Sequence, residues 1–203
     1  TRSTLRRKAK KFANADRGTL DLRAYKSRNE VAEFVDLALP LSQRTYQARL
    51  LDAGLPDSEA ERCAMLDEAA AGRMRCFLLF LKGEPVAYLS LPIRGQTLVY
   101  EHLGYDPAHA ALSPGTVLQM EALRMLFAED RFRYFDFTEG HGAHKALFGT
   151  HSVDCCSFLL LRRTLANRLL LAARDGFDAG VAKVKSLSQG SGSLASARKL
   201  LKA

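Results

Sequence analysis

Three apolar segments at short spacing between residues 74 and 105 constrain the fold more than any other feature. Residues 74–82 form a near-continuous apolar run, the pattern of a strand buried on both faces. Gly83-Glu84 reads as a tight turn, 86–94 as a second strand, Gly95-Gln96 as another turn and 97–105 as a third strand. Connections this short join antiparallel neighbours. A three-stranded meander is therefore the predicted centre of the chain.

The flanking segments change period. Residues 4–15 read as a basic helix and 19–25 as an alternating strand. A helix capped by Ser27 or Asn29 follows, with Val31, Phe34, Val35, Leu37 and Ala38 on its apolar side. Pro40 is expected to break it, with a second helix near 42–53 and a third from Ser58 to Ala71. After the meander, Ser113-Pro114-Gly115-Thr116 opens an apolar helix over 114–129. Residues 133–138 read as a strand, 141–148 as a short helix and 153–162 as a last strand. Thr164 caps a terminal helix to about 187, and 188–197 is a Ser- and Gly-rich tail. The strand–helix–strand unit over 97–138 predicts a right-handed parallel crossover. The fold class is α/β in the α+β sense, a mixed sheet with helices on both faces. The expected division is a basic helix (1–18), a main domain (19–162) and a terminal basic helix with its tail (163–203).

Ser is a favoured N-cap and Pro a favoured first helical residue. The N–H groups of Gly115, Thr116, Val117 and Leu118 are expected to lack helical partners and to face one way at the positive end of the helix dipole. That arrangement suits a phosphate or pyrophosphate. The net charge of +8 also points to an anionic partner: nucleic acid, a membrane surface or a phosphate-bearing cofactor. The basic residues crowd both ends of the chain, without the interleaved aromatics of a single-strand binding surface. Cys63, Cys76, Cys155 and Cys156 show no metal-ligand spacing, so a reducing, cytoplasmic setting and no metal are expected. The apolar runs 77–81 and 158–161 are too short to span a bilayer. The opening Thr-Arg-Ser-Thr, without Met, suggests a fragment.

Several motifs together resemble the Gcn5-related N-acetyltransferase (GNAT) superfamily. They are Leu-Gly-Tyr-Asp at 103–106, Ser-Pro-Gly at 113–115, Phe-Asp-Phe-Thr-Glu-Gly at 135–140, His144-Lys145, Phe148-Gly149 and the basic Leu5-Arg6-Arg7-Lys8. They are similar, more specifically, to the acetyltransferase family linked to bacterial cellulose and exopolysaccharide biosynthesis. They are distantly similar to peptidoglycan-bridge transferases that use aminoacyl-tRNA. The acetyl-CoA loop is reduced to Ser-Pro-Gly, and the family's Tyr before Lys is His144. The resemblance implies acetyl-CoA or another acyl-CoA as co-substrate, with a small-molecule or cell-envelope acceptor. A preceding domain of the same protein is also implied.

Acyl transfer from a thioester needs a polarised carbonyl, a deprotonated acceptor and a protonated leaving thiolate. The resemblance implies that strands 97–105 and 133–138 splay to admit the pantetheine arm. Leu103, Gly104, Ser113, Gly115, Thr116, Val117 and Leu118 are the implied donor-binding residues. Glu101 is the first candidate base. His102 is the alternate, and strand alternation allows only one of the two to face the cleft. Asp136 lies between Phe135 and Phe137, a setting that raises a carboxyl pKa unless it is paired; Lys145 is its partner by resemblance. His144 can serve as acid or base near the thiolate, and Lys145 can bind phosphate or an acidic acceptor. His141 and His144 share a helix face without an evident third metal ligand. Two other readings remain open: a transferase using aminoacyl-tRNA, favoured by the basic ends, and a non-catalytic domain, favoured by the reduced loop.

Overall fold

The structure, a computed structural model, describes residues 2–45, 54–140, 142–156, 158 and 160–190. It divides into two units, Thr1–Val153 and Asp154–Ala203.

In the first unit the order is α1 (Arg2–Ala15), β1 (Asp21–Tyr25), α2 (Arg28–Arg44), α3 (Glu59–Ala70), β2 (Met74–Leu81), β3 (Glu84–Arg94), β4 (Thr97–Val99) and β5 (His102–Tyr105). A 3-10 turn (Pro107–Leu112), α4 (Pro114–Ala128), β6 (Tyr134–Asp136) and α5 (Ala143–Phe148) follow. The sheet runs β1-β2-β3-β4-β6, with β5 also on β3. The meander pairs are antiparallel and β4–β6 is parallel, as the connections require.

Every residue of β2 is buried, because the sheet is covered on both sides. Phe77 and Leu79 pack with Phe12 of α1 and Leu118 of α4. Cys76 and Leu78 pack on the opposite face with Val31 and Phe34 of α2. Alternation along one strand thus feeds two cores.

Three expectations are corrected. Pro40 does not break its helix; α2 continues to Arg44. Pro40 and Asp36, whose carbonyl loses its helical donor, are both exposed, so water can satisfy that oxygen, while Ala38, Leu41 and Ser42 anchor the buried side. Most of the helix expected over 42–53 lies outside the described residues. Residues 97–105 form two strands rather than one. No strand forms among the described residues of 153–162, where Val153 and Leu160 are exposed. An apolar run is not a strand without a paired edge.

The second unit holds α6 (Leu165–Gly190). Thr164 caps it, its hydroxyl oxygen accepting the Asn167 N–H at 3.2 Å. The tail beyond residue 190 lies outside the described residues. None of the described helices is long and apolar enough to cross a membrane.

Candidate active site

The break between β4 and β5 builds the site. Leu98 pairs with Ile93 of β3, and His102 pairs with Ser90. Two residues of β3, Leu91 and Pro92, therefore face three on the other strand, Val99, Tyr100 and Glu101. This is a one-residue bulge. Ile93 N–H donates to Arg73 of the β2 side at 2.8 Å. Backbone alternation then turns the Pro92 nitrogen toward the β4–β5 side, where proline has no hydrogen to give.

The bulge inverts the side-chain phase. Leu98 and Tyr100 pack on the α4 side. His102 and Gly104 pair with Ser90 and Tyr88, and so point to the α2–α3 side. Glu101 and His102 consequently line one cavity of about 200 Å³ together with Glu61, Met65 and Glu68 of α3. The expectation that only one of them reaches the cleft fails, because strand alternation does not hold through a bulge. Glu101 Oε2 is 4.0 Å from His102 Nε2. Burial lowers the His102 pKa and outweighs the opposing pull of Glu101 and Glu61. His102 is thus neutral near pH 7, with the acceptor capacity of an imidazole. On the same wall, Glu68 is held between Arg73 at 2.8 Å and Arg94 at 2.9 Å, and its pKa falls to about 2.

The same bulge opens the sheet. Tyr100 N–H donates to the Asp136 carbonyl at 2.8 Å. Past that bond β5 has no second neighbour among the described strands. Asp106 N–H bonds Val86 of β3, so alternation turns Leu103 and Tyr105 N–H and C=O toward the open side. Gly104 instead faces β3, with the Tyr88 ring over its Cα. Leu103 and Tyr105 are therefore the β5 residues whose outward N–H and C=O groups can pair with an extended amide chain. Gly104 serves by letting Tyr88 cross the strand.

An aromatic cluster flanks the gap. The rings of Tyr100 and His144 stack at 5.5 Å, and Phe137 lies 5.6 Å from Tyr100. Burial pushes the Tyr100 phenol up to about 12, so it stays protonated as a proton donor. Burial, and then Lys145, lower the His144 pKa. The sequence reading missed Tyr100; the signal that could have found it is Pro92 across the ladder, which marks the bulge.

Asp136 and Lys145 do not pair. Asp136 is exposed at the short outer strand, and its carboxylate accepts the Thr138 N–H at 2.7 Å. Lys145 Nζ donates instead to the carbonyls of Thr138 (3.2 Å) and Glu139. It braces the 137–139 turn. His141 lies outside the described residues. Among those residues no group of three metal-ligating side chains is present.

At the start of α4, Ser113 adopts a left-handed conformation (φ 54°) and its side chain makes no cap hydrogen bond. Its carbonyl accepts Val117 N–H at 3.1 Å, and the regular helical pattern then takes up Leu118 N–H. Only Gly115 and Thr116 keep outward N–H groups, two rather than the expected four. A methyl group at Gly115 would lie 3.2 Å from both Leu103 Cδ2 and Tyr105 Cδ1, so glycine lets the helix sit on β5. Cations are nearby after all. Lys8 Nζ reaches Thr116 Oγ1 at 3.4 Å, and Lys11 Nζ bonds the Ala111 carbonyl at 2.9 Å. With Arg7 and Ser113 they line a cavity of about 280 Å³. The basic stretch of α1 thus stands beside the α4 N-terminus.

Comparison with known proteins agrees with this architecture. Residues 1–146 match the family described as acetyltransferase (GNAT) domain. An aminoglycoside acetyltransferase from an uncultured soil metagenomic sample, solved with trehalose, superposes with a TM-score of 0.50 at 16% identity, over 71% of this chain and 97% of that one. The same enzyme with sisomicin gives 0.50 at 14% identity, over 71% and 97%. A second aminoglycoside acetyltransferase from such a sample gives 0.50 at 17% identity, over 71% and 99%. These identities bear on the fold alone. No curated protein matches the sequence.

Proposed function

The chain belongs to the GNAT acetyltransferase family, and on that premise we propose that it moves an acyl group from acyl-CoA to an amine held in the cavity beside Glu101 and His102. The observation that carries this reading is the bulge at Tyr100–Glu101, which opens the donor gap and turns two proton-accepting side chains into one adjoining cavity. GNAT acetyltransferases use acetyl-CoA. The residues present fit such a donor. The free N–H groups of Gly115 and Thr116, with Lys8, Lys11 and Arg7, suit its diphosphate. The open edge of β5 suits its amide-bearing arm, and Leu103 N–H suits the thioester oxygen.

Chemistry then divides between the two sides of the sheet. Glu101, directly or through water, takes the proton from the acceptor ammonium; neutral His102 is the alternate acceptor. The freed amine attacks the thioester carbonyl; the attacking nitrogen gives its second proton to solvent as the tetrahedral intermediate collapses and the C–S bond breaks, and solvent later restores the Tyr100 proton. Tyr100 returns a proton to the departing thiolate from the other face. His144, stacked on Tyr100, holds that ring in place. Asp136 and Lys145 hold the turn that carries His144. The catalytic residues named here all lie in the first unit, Thr1–Val153, which includes the basic helix α1; the expected bounds of 19–162 do not coincide with it.

A sugar amine, or hydroxyl, of a cell-envelope or exopolysaccharide precursor is the finer acceptor assignment, and it rests on the sequence motifs. The cations of α1 also favour a second reading, an aminoacyl-tRNA donor, which predicts steeply salt-dependent RNA binding. Calorimetric titration with acetyl-CoA, a longer acyl-CoA and tRNA decides among these. Absence of acyl-CoA binding by folded protein would overturn the leading reading. Glu101→Gln, which removes the proton acceptor, should lower kcat by about 10²–10⁴-fold.

A further inference from the structure

The helix of the second unit carries an apolar face left open to solvent. From Leu165 to Val181 every described residue of α6 except Asn167 is exposed. The large apolar side chains are no exception: Leu165 is 78% exposed, Leu169 72% and Phe177 71%. At about 100° per residue, Leu165, Leu169, Leu170, Ala173, Phe177 and Val181 share one arc of about 160°. Leu171 is the one large apolar residue of the described stretch that falls outside it. A helix of this pattern owes most of its stability to burying such an arc.

The charges indicate what covers it. Arg174 falls just past the Val181 edge of the arc, and Arg168 falls past the Leu165 edge. Asp175 falls near the opposite pole. Arg162 and Arg163 precede the Thr164 cap, and Asn167 Nδ2 donates to the Arg162 carbonyl at 2.8 Å, which ties the pair to the first turn. Residues 162–181 thus carry Arg162, Arg163, Arg168 and Arg174 against Asp175 and Asp178. Arginine stems at both margins can lie along apolar surface while their guanidiniums reach phosphate oxygens. A layer that is apolar beneath and anionic at its surface meets both margins at once. A second copy of the helix fits the face poorly. Ala173, Gly176 and Gly180 lie on the arc, and an interlocking partner helix needs a large side chain at each turn. Acyl chains adapt to such a contour. The helix is not apolar enough to cross the layer.

We propose that α6 is an interfacial helix that lies on an anionic lipid bilayer, with its leucines and Phe177 among the acyl chains and its arginines at the phosphates. The proposal does not depend on the acyl-transfer reading.

The test sediments the 203-residue chain with vesicles of phosphatidylcholine alone and of phosphatidylcholine with about one-third phosphatidylglycerol. The proteins compared are the wild type, Leu169→Gln/Phe177→Gln and Arg168→Gln/Arg174→Gln. The wild type is expected to bind the anionic vesicles about tenfold or more tighter than the neutral ones, and added salt should shrink the difference. Leu169→Gln/Phe177→Gln should lose about tenfold or more in affinity for the anionic vesicles. Arg168→Gln/Arg174→Gln should cut the preference for them severalfold. Both variants should keep the wild-type Tm and the wild-type mass in light scattering, since the replaced side chains are exposed. A wild type that ignores the anionic vesicles, or binds both kinds alike, overturns the proposal. So does unchanged binding in Leu169→Gln/Phe177→Gln, which would assign the attraction to charge alone. A lowered Tm or a smaller assembly in that variant would show that protein covers the face, and overturns the proposal as well.

Discussion

Replacing Lys8 and Lys11 together by alanine isolates the part played by α1. Lys8 is half-buried and Lys11 exposed, and both line the cavity at the start of α4. Two unit charges about 5 Å apart interact by about 0.8 kcal/mol in bulk-water dielectric, and by more where protein displaces water. Two lysines facing a diphosphate are then worth about 1.5–2 kcal/mol. That is about a 10- to 30-fold loss of donor affinity in the double variant. Stability should hardly move, since surface substitutions fall within about 0.5 kcal/mol and these lysines make only a 3.4 Å contact to Thr116 and a 2.9 Å bond to Ala111. The assay is calorimetric Kd for acetyl-CoA at low salt and at about 0.15 M ionic strength, alongside a thermal melt. The wild-type Kd should weaken with salt, and the double variant should lose most of that dependence. An unchanged Kd in a double variant with wild-type Tm refutes the argument. Donor binding would then rest on the backbone N–H groups alone.

Three further outcomes follow from the site. His102 is held below the usual imidazole pKa by burial. If it accepts the proton, kcat/KM rises with pH through a midpoint below about 6.5. Because the folded pKa is the lower one, the unfolded chain binds the extra proton, so stability is full above the unfolded value and declines as pH falls through it; urea midpoints at pH 5 and 7 check this. Gly104→Ala should destabilise by about 1–3 kcal/mol, because the new methyl group meets the Tyr88 ring, and a melt measures it. Tyr100→Phe keeps the ring stack on His144, so Tm should hold while kcat falls by about 10²-fold, as judged by steady-state kinetics.

The placement of α1 shows why some of the site was legible and some was not. Its basic residues were plain in the sequence, but only as a crowd of charge at one end of the chain, without a partner. Lys8 meets Thr116 across 108 positions, and no local pattern reports a contact of that span. The expected Asp136–Lys145 pair failed for a related reason. Spacing brought Lys145 near, but backbone carbonyls of the 138–139 turn offered a closer partner.

Periodicity and turn residues determined a great deal: the meander, the parallel crossover, the two-sided burial of residues 74–81 and a helix beginning at Ser113-Pro114. These are local properties, set by side-chain spacing and backbone geometry within a few residues. Which way the chemistry points was decided only by tertiary structure. Glu101 and His102 reach the same cavity because the strand slips by one residue opposite Pro92, and a bulge depends on the partner strand as much as on its own sequence. The charge at the α4 N-terminus likewise comes from another helix, by packing. Register and long-range packing are properties of pairs of segments, and a single segment read alone does not contain them.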